Sequence, residues 1–285
     1  MHAEAMFTLD FYESDFPSLL KEIKDPPHRL YYQGDLTCLD RPCVAVVGTR
    51  HATPRGLSLA RTWAKTMSEV GLTIVSGLAY GIDAAAHEGA LEAGGPTVAV
   101  LAHGIEDVQP RGNLDLARRI VDGGGLILSE HCGEGRVFAR DYLVRNRIIA
   151  GLCQGTLVVE APYQSGALNT ATHANDYGRD VWCVPGRITD VASQGCLKRL
   201  REGGASMVLN VEDILECYGI TLKKMPLGGS LSFRVIEYLR RRRCAEHAVA
   251  DELNIERGQL MKLLFSLEIS GKISKGPDGL YSAPP

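Results

Sequence analysis

The chain has 285 residues, a formal net charge of −3, 45% hydrophobic residues and 23% charged ones. That mix belongs to a globular protein and excludes disorder as the main state. No window approaches the ~18 consecutive apolar residues of a membrane-spanning helix. The opening MHAEAMFTLDFYESDF lacks the basic stretch and apolar run of a secretory signal, so neither export nor a membrane partner is expected.

The charge is uneven. Residues 1–40 carry 3 Lys and Arg against 8 Asp and Glu, residues 41–225 balance at 19 and 19, and residues 226–285 carry 9 against 7. Affinity for nucleic acid must then come from a local cluster. The cysteines Cys38, Cys43, Cys132, Cys153, Cys183, Cys196, Cys217 and Cys244 show no CxxC spacing. They read as free thiols in a reducing cytoplasm, with no metal site and no cofactor expected.

Residues 1–40 read as an irregular lead-in, broken at Asp25-Pro26-Pro27, with Leu30-Tyr31-Tyr32 packing on the main domain. From residue 43 short apolar runs alternate with glycine-rich turns and helical stretches. The runs are Cys43–Val47, Leu72–Val75, Thr97–Leu101, Leu126–Leu128, Thr156–Val159 and Asp180–Val184; the clearest helices span Gly56–Val70 and Ile82–Ala93. Runs of this kind are strands buried on both faces, and their alternation with helices predicts a doubly wound parallel sheet over 41–224. Residues 225–230 are a linker by composition. Over 231–285 the periodicity predicts three helices, the third capped by Asn254, and then a hairpin around Gly276-Pro277-Asp278-Gly279, the winged-helix plan.

Ligands of open parallel sheets bind at the strand C-terminal ends. The first such loop holds Gly48, Thr49 and Arg50, where glycine permits the turn and Arg50 is a fork suited to phosphate. It is neither GxGxxG nor a Walker loop. The second holds Ser76 and Gly77 and leads to Asp83 and His87, one helical turn apart, which are a helix cap with its hydrogen bond or an acid/base pair. The third cluster, Arg140, Tyr142, Arg145, Asn146 and Arg147, puts cations beside an aromatic ring, a combination that suits single-stranded nucleic acid. Arg147 has a second reading as the buried partner of an acid such as Glu160. Ser165, Gly166 and Thr170 begin a helix after the fifth of these strands, and Gly178-Arg179-Asp180 supplies a further arginine. GxSxG is absent and His173 shares a helix with Ser165, which argues against a hydrolase triad.

In order, Val44-Ala45-Val46-Val47-Gly48-Thr49-Arg50, Ser76-Gly77-Leu78-Ala79-Tyr80-Gly81-Ile82-Asp83, Arg145-Asn146-Arg147-Ile148-Ile149-Ala150-Gly151, Glu160-Ala161 with Ser165-Gly166-Ala167-Leu168, and Val184-Pro185-Gly186 closely resemble the bacterial DNA-processing protein A (DprA, or Smf) family. The resemblance implies an α/β protein, an extended Rossmann-like, doubly wound, mostly parallel sheet with a small C-terminal winged-helix domain. It implies a cytoplasmic homodimer, not an enzyme, that protects incoming single-stranded DNA in natural transformation. Such a protein helps load RecA onto the strand, with single-strand binding protein as a further partner. By motif Arg50 becomes the phosphate anchor, Arg111 and Arg140 fall where members place basic residues, and Tyr142 takes the place of an aromatic. Two alternatives stay open: a nucleotide-binding enzyme of the nucleoside-monophosphate ribohydrolase type, with Glu160 as its local acid, and a winged-helix regulator. The third C-terminal helix is weakly basic, which argues against the latter.

Overall fold

The computed structural model describes residues 6–133, 137–221, 231–253, 255–276 and 278–284. The chain divides into two compact units, Met1–Ile220 and Thr221–Pro285.

The first unit runs β1 (Phe7–Asp10), α1 (Ser18–Lys21), β2 (Arg29–Gly34), β3 (Cys43–Val47), α2 (Pro54–Glu69), β4 (Thr73–Ser76), α3 (Ile82–Glu92), β5 (Thr97–Leu101), α4 (Leu114–Asp122), β6 (Leu126–Ser129), α5 (Ala139–Gly151), β7 (Gly155–Val158), α6 (Gly166–Asp176), β8 (Asp180–Cys183), α7 (Gln194–Arg201), β9 (Ser206–Met207) and α8 (Glu212–Cys217). One nine-stranded sheet has the order β1-β2-β6-β5-β4-β3-β7-β8-β9. Strands β3 to β9 are parallel in register, for example Val44 beside Ile74 and Gly155. All of β3, β4 and β5 is buried, which explains why these strands read as unbroken apolar runs. Each such Val or Ile contributes about 1.5–3 kcal/mol by leaving water.

The residues of 1–40 correct the expectation of an irregular lead-in. Here β1 pairs antiparallel with β2, and β2 pairs antiparallel with β6, so the sheet gains an antiparallel edge. Leu9, Phe16, Leu20, Ile23 and Leu30 join the same core as Ala45, Val100 and Ile149.

The chain builds outward from β3 through β4, β5 and β6, then returns to β7 on the other side of β3. The sheet therefore reverses direction between β3 and β7, and a crevice opens there at the strand C-terminal ends. Helices α5, α6 and α7 contribute Ile148, Ala171 and Cys196 to the core on one face. On the other, α4 packs Leu116 and Ile120 against Leu101 and Ile127.

The second unit holds α9 (Leu231–Arg241), α10 (Glu246–Leu253), α11 (Arg257–Ile269) and a hairpin of β10 (Ser274–Lys275) with β11 (Tyr281–Ser282). Val235, Leu239, Val249, Leu260, Leu264 and Ile273 form its own core. Asn254, expected to cap the third helix, and the expected linker lie outside the described residues. Glu256 is the cap, accepting from Gly258 N and Gln259 N at 3.0 Å each. Within the basic run Arg240–Arg243, Arg240 Nε donates to Pro284 O (2.9 Å) and Arg243 pairs with Asp278 (3.1 Å).

Candidate nucleic-acid interface

A cavity of about 590 Å³ occupies the crevice between β3 and β7. Its walls are the turn after β3 (Gly48, Thr49, Arg50, His51), one face of α5, the loop Pro162–Ser165 and the first turn of α6. Gly48 allows the turn, because a Cβ there would stand 2.8 Å from the Glu160 carbonyl oxygen and closer still to Ile82. Thr49 N donates to that same oxygen (2.7 Å), fastening the turn to the end of β7.

Arg50 is exposed and has no carboxylate partner among the described residues. Its guanidinium lies 5.0 Å from the centre of the Tyr142 ring. A free cation over an aromatic face, at the mouth of a crevice, offers phosphate contact and a stacking surface together. Tyr142, Arg145, Asn146 and Ile149 all line the cavity, spaced i, i+3, i+4 and i+7 along one helical face.

Arg145 is there as structure. It is buried, and Nη1 donates to Gly77 O (3.0 Å) and to Val100 O. Burial pulls its pKa down to about 10, with the Asp83 carboxylate acting the other way. Asn146 Nδ2 donates to Gly166 O (3.1 Å) and Asn169 Oδ1 (3.2 Å), tying α5 to the start of α6. Ser165 caps α6, its Oγ accepting from Ala167 N (3.3 Å).

Several expected site residues are placed elsewhere. Ser76 is wholly buried, with its hydroxyl donating to Val46 O (2.7 Å). Gly77 lies beneath the Arg145 guanidinium, and its N donates to Asp83 Oδ2 (3.1 Å). Arg147 faces away from the cavity and pairs with Glu130 (2.7 Å) and Asp25 (3.3 Å), not with Glu160. Arg179 pairs with Glu22 (2.7 Å). These two arginines fasten the lead-in to the unit, so their charge is already matched. Arg111 lies in the turn Arg111–Asn113, exposed but outside the cavity lining. Arg140 is outside the lining too; it is 80% exposed, with its guanidinium 5.5 Å from the Phe138 ring and a weak contact to Asp141 (3.6 Å).

The acid/base reading of Asp83 and His87 fails on geometry. Asp83 accepts from Gly77 N and Ala79 N (3.1 and 3.4 Å), while His87 Nδ1 meets Thr97 Oγ1 (2.7 Å). Glu160 is also engaged: its carboxylate accepts from Thr53 N (2.8 Å) and Thr53 Oγ1 (2.6 Å) at the start of α2. The cavity adds His51, Leu143 and Gln164 to the residues read from the sequence. His51 and Leu143 belong to the first loop and the third cluster, and Gln164 immediately precedes Ser165.

The fold and this crevice define a doubly wound α/β protein whose switch point carries an exposed cation beside an aromatic ring. The family of DNA recombination-mediator protein A matches residues 7–219, and the chain belongs to that family. Protein Smf of Synechocystis is 41% identical over 211 residues, which are 73% of this chain and 52% of that one, so the match spans about half of that relative. DNA processing protein DprA of Streptococcus pneumoniae is 42% identical over 202 residues, 70% of each chain. An X-ray structure of DprA from that species superposes with a TM-score of 0.70 at 40% identity, covering 75% of this chain and 74% of that one. A structure concerned with the single-stranded DNA binding mode of DNA processing protein A from Helicobacter pylori gives 0.68 at 29% identity, covering 76% and 96%.

Proposed function

We propose that this protein binds single-stranded DNA in the crevice between β3 and β7 and acts as a recombination mediator. In this reading it is a cytoplasmic homodimer that protects strands entering the cell in natural transformation and hands them to RecA in place of single-strand binding protein. The observation that carries the reading is Arg50, unpaired and 5.0 Å over the Tyr142 ring at the cavity mouth. In this reading Arg140 and Arg111, both exposed though outside the cavity lining, add to the positive charge of the same unit. The Helicobacter pylori relative, studied for its single-stranded DNA binding, supports the ligand class. Binding without catalysis fits the engagement of Ser165 as the cap of α6 and of Glu160 as the acceptor that holds Thr53, the cap of α2. The three helices and hairpin of the second unit act as a winged-helix module.

Fluorescence anisotropy with labelled oligo-dT across a salt series tests this. The wild type is expected to prefer single strands to duplex. Arg50→Ala is expected to bind about tenfold more weakly, with the salt slope reduced by about 0.7. Equal binding of wild type and variant would sink the site.

A further inference from the structure

The cavity rim carries a second aromatic–cation pair. Tyr163 lies between Pro162 and Gln164, both of which line the cavity, and the residue itself is 54% exposed. Lys198 Nζ stands 4.4 Å from the centre of that ring. Lys198 belongs to α7, which is pinned to this loop: Gly195 N donates to Ala161 O (2.8 Å). A Cβ on Gly195 would come within 2.6 Å of Pro162 O, so the helix reaches the loop only because residue 195 is glycine. Lys198 has no carboxylate partner among the described residues.

An ammonium over one face of a ring leaves the other face open. Base stacking on an aromatic ring tolerates any sequence, and a neighbouring lysine contacts the phosphate as a point charge. The geometry repeats that of Arg50 over Tyr142, on a different wall of the same crevice.

We propose that Tyr163 and Lys198 form a second step of the strand-binding track, Tyr163 stacking a base that leaves the cavity and Lys198 holding its phosphate. This rests on the single-strand reading above. It extends the footprint toward α7, so longer strands gain contacts that short ones do not reach.

The test is a Tyr163→Trp variant of the full chain, titrated with an oligo-dT of about 20 nucleotides. The native tryptophans, Trp63 and Trp182, are 8% and 3% exposed, so the new indole is the accessible emitter. Its fluorescence is expected to be quenched, saturating together with anisotropy. Tyr163→Ala is expected to weaken that oligomer about fivefold, to leave one of about six nucleotides unaffected, and to unfold at an unchanged temperature. Tyr163→Phe should bind as the wild type does, and Lys198→Ala should lower the salt slope by about 0.7. Binding that depends on Arg50 but leaves the indole unquenched would overturn the second step alone. Absence of single-strand binding by the wild type would overturn both readings.

Discussion

Arg145 and His87 lie deep beneath the crevice, and burial governs both. Arg145 is held by two backbone carbonyls and the nearby Asp83 carboxylate. Removing its charge would leave Asp83 buried and unbalanced, so Arg145→Met is expected to cost about 3–5 kcal/mol. Urea unfolding measures this, and the double variant with Asp83→Asn should lose less than the sum of the two single losses. At His87 the single proton of Thr97 Oγ1 goes to Ile74 O (2.7 Å), so His87 Nδ1 carries the hydrogen that Thr97 accepts. Burial, and after it the Arg145 charge, together lower the His87 pKa from 6.5 to about 3. The unfolded chain therefore takes up a proton that the folded one refuses. Stability from this group is complete above pH 6.5 and falls as pH drops toward 3, by about 1.4 kcal/mol per pH unit. Comparing urea midpoints at pH 7 and pH 5 should show that loss, and His87→Gln should flatten it.

At the scale of elements, α5 sorts its arginines by rotation. Successive residues turn by about 100°, which puts Tyr142, Arg145 and Asn146 toward the cavity and Arg147 toward Glu130 and Asp25. Arg147→Met is expected to cost about 1–3 kcal/mol in stability, since it leaves the largely buried Glu130 without its partner, while the exposed Asp25 returns to solvent. Its affinity for oligo-dT should equal that of the wild type. Arg140→Ala should do the reverse, lowering affinity and salt slope with little effect on unfolding. The motif itself was legible in the sequence, but its orientation was not. Every residue from Arg145 to Gly151 is buried, so no one-sided apolar stripe marks which face is which. The strands of the lead-in were missed for a related reason: β2 finds its partner β6 about a hundred residues later in the chain, and pairing at that distance leaves no local pattern.

For the whole molecule, the cavity is built entirely within the first unit, between Val47 and Thr170. A fragment ending at Ile220 is expected to fold and to bind oligo-dT within about twofold of the full chain, since it contains every described residue that lines the cavity. A loss well beyond that would assign strand contacts to α9–α11 or the hairpin. By itself the sequence determined the strand–turn–helix series, and with it the parallel sheet and the loops at its strand C-terminal ends, while the strand order and the switch point between β3 and β7 came from the fold. Buried strand runs and glycine turns are written in neighbouring residues, so they can be read without the fold. Tertiary structure alone decided which charges stay free. Arg50 and Arg147 look alike in sequence, but Glu130 and Asp25, 17 and 122 residues before Arg147, fold onto it and match its charge, while no acid among the described residues folds back onto Arg50. A charge is available for binding only when packing over such distances leaves it unmatched, and no local spacing encodes that.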